Sequence, residues 1–282
     1  MIDFCHICPT PHLEDFAAGR ESHLVLAHLI EEDATYGDWY LHEKNKNPTS
    51  TIIMDNSAFE MYKQNRPMYP SDKLIEMGRR VNADYIVMTD YPAEPGQKTI
   101  DKAIEIAPTL KSEGFGTFFV PQSKIGDIDD LIEGFRWAST ASEVDYIGVS
   151  ILAVPNAYGV ERNNKLQRFL SRWAFMQTLY DEGILDIIQQ NGKKIHCLGM
   201  VDGYREVELL GQPFGKYINT WDSSAAVWYG LNNIPFDNSP SGAINGKYEA
   251  EVDFNLRVYD QHLLELARNN AKKIDDLCKR YS

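Results

Sequence analysis

The chain has 282 residues, 24% of them charged and 43% hydrophobic, with 28 Lys+Arg against 41 Asp+Glu and a formal net charge of −13. That balance suits a soluble globular protein and excludes nucleic-acid binding over the whole surface, which needs a basic footprint. Four cysteines are too few for a disulfide scaffold, and no uninterrupted apolar run approaches the roughly 18 residues of a membrane span.

Short β-branched or aromatic runs recur at Phe4–Cys8, Leu24–Leu29, Thr51–Asp55, Tyr85–Asp90, Thr117–Gln122, Tyr146–Ile151, Ile195–Met200 and Tyr217–Asp222. Most are nearly continuous in apolar character, as parallel strands buried on both faces are. Helical patterns lie between them. One opens at Ser71-Asp72 and carries Leu74, Met77 and Val81. A second runs from Thr99 to Ser112, carries Ile100, Ile104 and Leu110, and stops at Gly114. A third, Asp127–Ala141, carries Ile128, Leu131, Ile132 and Phe135. A fourth, Lys165–Asp181, carries Leu166, Phe169, Leu170, Trp173 and Leu179. The stretch Asn232–Gly246, with Pro235, Pro240, Gly242 and Gly246, is expected to be a loop before a last helix near Glu251–Cys278. Eight strands alternating with helices predict one (β/α)8 barrel domain over residues 1–282. A doubly wound open sheet is the competing arrangement, but no G-x-G-x-x-G follows any strand. The opening Met1–Phe4 lacks the basic region and long apolar core of a signal peptide, so a cytoplasmic protein is expected.

Chemistry in such barrels sits at the C-terminal strand ends, so the polar residues closing each run are the candidates. They are His28, Asp55 with Asn56, Asp90, Gln122, Ser150, Asp202 and Asp222. One Asp after a strand can simply cap a helix or shape a turn. Three at the same rim would repel in a shared cleft, an arrangement that separates an acid from a base. Paired carboxylates suit glycosidic chemistry, while three carboxylates and a histidine would equally suit a divalent metal. Residue types and spacing alone leave both open. Cys5 and Cys8 have C-x-x-C spacing but alternate along a strand with no second ligand pair, so buried thiols are expected there. Trp221, Trp228 and Tyr229 are expected to pack the barrel rim.

The local sequences resemble the tRNA-guanine transglycosylase superfamily. Thr51–Glu60, with Asp55, Asn56 and Phe59, is similar to the family's strand ending in its general acid/base Asp. Tyr85–Ala93, with Asp90 and Pro92, resembles the strand whose Asp binds the edge of the purine-like base. Phe118–Ser123 resembles the segment whose Gln, here Gln122, also reads the base. Tyr146–Ala153, with Gly148 and Ser150, is similar to a loop contributing backbone contacts. His196–Gly203 resembles the strand whose Met, here Met200, covers the base. Tyr217–Ser224 is similar to the strand ending in the nucleophile, here Asp222. The six fragments fall in the family's order over roughly residues 51–223.

Departures from the pattern matter as much. The tRNA enzymes carry a Cys-x-Cys-x-x-Cys plus His zinc site after the nucleophile, whereas only Cys278 follows Asp222 here. Together with the opening His23–Leu29, this makes the chain similar to the phage-encoded branch that inserts 7-deazaguanine bases into DNA. The resemblance implies exchange of guanine in DNA, or alternatively tRNA, for a 7-deazaguanine base, with no metal or organic cofactor. It implies Asp222 as nucleophile and Asp55 as acid/base. Asp90, Gln122, Ser150, Met200, Asn56 and His28 would line the base site. A local grip on phosphates is expected from Arg162, Lys165, Arg168 and Arg172, above all Arg162 and Lys165. Two other readings of the same residues are a metal-dependent barrel hydrolase and a noncatalytic nucleic-acid-binding subunit.

Overall fold

The computed structural model describes residues 2–201, 203–236 and 252–282. Among them, eight strands form one all-parallel sheet. They are β1 (Asp3–His6), β2 (Ser22–Leu26), β3 (Thr51–Asp55), β4 (Tyr85–Val87), β5 (Gly116–Phe119), β6 (Tyr146–Ser150), β7 (Lys194–Leu198) and β8 (Thr220–Ser223). The order β1-β8-β7-β6-β5-β4-β3-β2 curls the sheet into a nearly closed (β/α)8 barrel, with helices interleaved between strands. At the seam, the Ser22 hydroxyl donates to the Asp3 carboxylate across 3.3 Å. Every residue of β2 and β6 is buried, which explains why these strands read as continuous rather than alternating apolar runs.

The barrel interior is filled by aromatic and polar side chains. Phe118 stacks on Tyr146 with centroids 5.2 Å apart, and the His196 ring meets Phe118 edge-on at 5.5 Å. Helices enclose this layer, and polar caps set several of their starts. The Asp127 carboxylate accepts from the N–H of Asp130, opening the helix Ile128–Thr140. Asn164 does the same for Lys165–Asp181 through Gln167, and Asp260 for Gln261–Tyr281 through His262.

Several elements differ from the sequence expectation. The second strand stops at Leu26 instead of Leu29, because the N–H of His28 donates to Ser57 Oγ (3.1 Å) and the chain turns into a helix, Ala27–Glu32. Asp90 lies three residues beyond the end of β4, and Tyr217 sits in a short 3₁₀ turn, Gly215–Tyr217, before β8. The last helix begins at Gln261, not near Glu251. Before it, the Phe254 carbonyl accepts from the Thr10 N–H at 2.8 Å, and the Val258 N–H donates to His12 Nε2 at 3.0 Å. Those backbone groups are spent on the N-terminal segment, so a helix has no ladder to build there. Of the loop expected at Asn232–Gly246, residues 237–246 lie outside the described residues, as do Glu251 and Asp202.

The helix Lys165–Asp181 holds the largest surprise. Its core-facing stripe is Phe169, Arg172, Phe175, Met176 and Leu179, all buried, whereas Leu166, Leu170 and Trp173 are 50%, 44% and 37% exposed. Counting apolar residues aimed the helix wrongly because an arginine occupies a core position. Arg172 is wholly buried, so it does not belong to the surface basic patch expected around Arg162 and Lys165.

Near the C-terminus, Gly230 of the helix Ala225–Leu231 lets that helix touch the backbone of Gln261–Tyr281. A Cβ on Gly230 would stand 2.2 Å from Ala267 Cα. Backbone on both sides cannot yield locally, so Gly230→Ala is expected to destabilise the protein by about 3 kcal/mol, the upper part of the overpacking range. Urea unfolding would check this, and a midpoint equal to wild type would show that the two helices separate without cost.

Candidate active site

The carboxylates found by sequence gather at the C-terminal end of the barrel, each in a different setting. Asp222, third residue of β8, is 8% exposed. Its Oδ1 accepts from two N–H groups, His196 Nε2 and the backbone N–H of Gly199, both at 3.0 Å. Gly199 has φ +68°, and a Cβ there would stand 2.9 Å from Ile151 Cγ2. Only glycine turns the chain here without strain, which brings its N–H onto Asp222.

The Gly199 carbonyl is fixed from the other side. It accepts from Arg172 Nη1 at 2.7 Å and from Trp221 Nε1 at 2.9 Å. Arg172 also donates to the Val149 carbonyl and pairs with Glu206 at 3.0 Å, both side chains fully buried. Glu206 Oε2 in turn accepts from the Val201 N–H at 2.6 Å. The buried ion pair therefore clamps the loop after β7 to β6. Trp221 and Trp228 are buried, as expected for rim packing.

Asp55 ends β3, and its Oδ2 accepts from the Ser57 N–H at 2.8 Å. Ser57 has φ 56°, a left-handed conformation that is costly for a residue with a Cβ. Its hydroxyl meets His28 Nδ1 at 2.9 Å and accepts from the His28 N–H. The His28 ring also packs edge-on against Phe254, and burial lowers its pKa to about 4. His28 thus braces the loop that carries Asp55. Burial pushes the Asp55 carboxyl well above the carboxylate range, Glu60 adds to this, and Asp222 and Asp90 add further. Glu60, five residues on, is itself pushed up to about 7, by burial first and then by Asp222.

Asp90 is 2% exposed and raised to about 6 by burial, against the pull of its two amide partners. Asn56 Nδ2 donates to Asp90 Oδ1 at 2.6 Å and to the Met88 carbonyl, while Gln122 Nε2 donates to Asp90 Oδ2 at 2.5 Å. Asn56 Oδ1 accepts from the Ala58 N–H, so this amide is committed to the protein and holds Asp90 in place. Gln122 Oε1 is buried without a partner. Ser150 Oγ accepts from the N–H groups of Leu152 and Ala153, a local cap for the turn that follows β6. Met200 is half-buried beside Gly199 and packs on the core. Arg162 is exposed, and Lys165 begins the helix after the β6 loop.

The two ends of the barrel differ electrostatically. At the N-terminal end, Asp84 pairs with Lys44 at 2.8 Å and Asp145 with Lys111 at 3.3 Å. Among the described residues, no ion pair reaches Asp55, Glu60 or Asp90. Carboxyls raised together at one end of a barrel mark a working site more often than a structural one. Among those residues, too, no three His, Cys, Asp or Glu side chains converge as a ligand set for a metal ion. Cys5 and Cys8 are buried free thiols.

Sequence reasoning gave no role to His196, Glu60 or Gly199, although they lie in its family-like segments, and it placed Arg172 in a phosphate patch instead of a buried pair with Glu206. Lys194, His196 and Leu198 alternate with the buried Ile195 and Cys197, so a polar residue at mid-strand was the available signal for His196. Neither a family model nor a curated protein matches the chain.

The raised Glu60 has a definite pH signature. The folded protein holds this proton up to about pH 7, the unfolded chain only to about 4.5. The stability this contributes is complete below about 4.5 and is lost as pH rises through 7. Glu60→Gln cannot ionise, so it is expected to exceed wild type at pH 8 by on the order of 1–3 kcal/mol, with the gain vanishing at pH 4. Chemical denaturation at both pH values checks this, and an equal difference at both would show that Glu60 does not titrate on folding.

Proposed function

We propose that the chain is a base-exchange transglycosylase, replacing guanine in DNA with a 7-deazaguanine derivative through a covalent Asp-glycosyl intermediate. The observation that carries this reading is that one barrel end holds both Asp55, kept toward its protonated form by burial and in part by the charge of Asp222, and Asp222, which presents one oxygen to two N–H donors. An acid beside a nucleophile is what glycosidic displacement requires.

In the reaction, an Asp222 oxygen bonds to C1′ as the C1′–N bond to guanine breaks. The bonding pair goes to the base nitrogen, which takes the Asp55 proton. The incoming base returns a proton from its own N–H to Asp55, attacks C1′ and frees the Asp222 carboxylate. Two displacements retain configuration. This chemistry calls on two carboxyl groups and neither a metal nor an organic cofactor. Asp90 and the unpartnered Gln122 Oε1 are neighbouring acceptors, a complement to the N–H groups on a guanine edge. A base in duplex DNA has to leave its stack to reach them. Arg162 and Lys165, beside the loop after β6, would hold phosphates at that rim.

Asp222→Asn is expected to abolish exchange of radiolabelled guanine into DNA and to leave no adduct on a denaturing gel, since an amide is a far poorer nucleophile. Asp55→Asn should cost at least about 100-fold, the usual scale of general acid–base catalysis. Full activity of Asp222→Asn would end the mechanism, whereas a wild-type pH profile for Asp55→Asn would end the acid/base role alone.

Mass spectrometry of nucleosides, with and without expression of the protein, should find a 7-deazaguanine in DNA and little in tRNA. Modified tRNA with unmodified DNA would reassign the substrate. Replacing Arg162 and Lys165 together should reduce the salt slope of DNA binding by roughly two counterions. An unchanged slope would place the phosphate contacts elsewhere.

A further inference from the structure

The buried histidine joined to Asp222 is not used in that scheme. We propose that His196 is a positioning residue for the exchange reaction, holding Asp222 by Oδ1 so that Oδ2 attacks and later leaves. This rests on Asp222 being the nucleophile.

A polar chain crosses the barrel interior to reach Asp222. Tyr146 OH lies 3.1 Å from Thr220 Oγ1, Thr220 Oγ1 lies 2.7 Å from His196 Nδ1, and His196 Nε2 lies 3.0 Å from Asp222 Oδ1. Hydrogen-bond inventory gives the chain a direction. A carboxylate only accepts, so Nε2 carries a hydrogen, and we assign it as the ring's one hydrogen, which leaves Nδ1 to accept. Thr220 spends its one proton on Nδ1, so its oxygen accepts from the Tyr146 hydroxyl. Each proton points toward Asp222. Tyr146, His196 and Thr220 are all buried, and His196 and Thr220 are register partners on β7 and β8.

The consequence falls on the covalent intermediate. When Oδ2 bonds to C1′ and the C1′–N pair goes to the base, Oδ1 becomes the carbonyl oxygen of an ester. In the second displacement the C1′–Oδ2 bond breaks and its electron pair returns to the carboxylate. The N–H groups of His196 and Gly199 favour that charge, so they speed release of the enzyme. Without Nε2–H the ester gains relative to the carboxylate. Turnover then falls while the fraction of enzyme held as adduct rises. Lost packing would lower both.

The test uses the full chain with plasmid DNA and radiolabelled guanine, reading turnover and steady-state adduct together. His196→Phe, which keeps a ring and removes the donor, is expected to turn over about 100-fold more slowly, within the range for one lost oxyanion donor, with a severalfold larger adduct fraction. His196→Gln, which restores an N–H near Nε2, should recover much of the rate. A fall in both readings for His196→Phe, or no change in either, overturns the proposal while Asp222 remains the nucleophile. An active Asp222→Asn instead overturns the mechanism beneath it. Nitrogen-15 NMR of wild-type histidines provides a test that needs neither variant folding nor activity. The His196 signal is expected from a neutral Nε2–H ring, altered by Thr220→Val. A ring with a hydrogen on Nδ1, alone or together with Nε2, overturns the chain of donors.

Discussion

Gly199, fixed at both its N–H and its carbonyl, is the constraint on which the candidate site depends. Its N–H binds Asp222 and its carbonyl binds Arg172 and Trp221, so the two peptide units flanking its Cα join the carboxylate to the clamp beneath it. Neither end is free to drift. Arg172 is itself fixed by Glu206 and by the Val149 carbonyl on β6. A buried ion pair is a weak source of net stability, because desolvation offsets most of its attraction. Here it does something else: it ties Gly199 and Val201, which follow β7, to β6.

The carboxyls at this rim are held at a cost of a different kind. Asp55, Glu60 and Asp90 are all raised, with burial the first cause in each case. Burial alone would hold each as a neutral acid. Amide donors oppose it at Asp90, and a single backbone N–H opposes it at Asp55. The result is a graded set: a strongly raised acid at Asp55 and a hydrogen-bonded one at Asp90. Ser57 in a left-handed conformation belongs to the same balance, since its strain is tolerated only because Asp55 and His28 fix its N–H and hydroxyl.

Much of the barrel is legible in the residue pattern, because buried parallel strands and capped helices leave strong local signals. The helix Lys165–Asp181 matches its expected bounds to the residue, yet its orientation does not follow from them. Orientation depends on which stripe meets the core, and Arg172 sits in that stripe for reasons that lie on β6, β7 and the helix of Glu206. Asn56 shows the same limit. Its place after Asp55 is visible in sequence, but its bond to Asp90, 34 positions away, belongs to the fold. His28 was found as a polar residue ending an apolar run. Its partner Ser57, on the next strand's loop, turns it from a residue that lines a pocket into one that supports it.

Register between parallel strands is therefore where the chemistry is encoded. His196 faces Thr220 and Gly148 across its two ladders, and Cys197 faces Trp221 and Val149. Side chains alternate with a period of two, so a slip of one residue between β7 and β8 would exchange the polar set for the apolar one. His196 would lose Thr220, and Asp222 would lose its imidazole donor. Such a slip would also drive histidine into the apolar layer outside the barrel, where the imidazole would have no partner. The same burial that makes the polar chain costly to misplace is what holds it in register, so fold specificity and the placement of Asp222 have one physical origin.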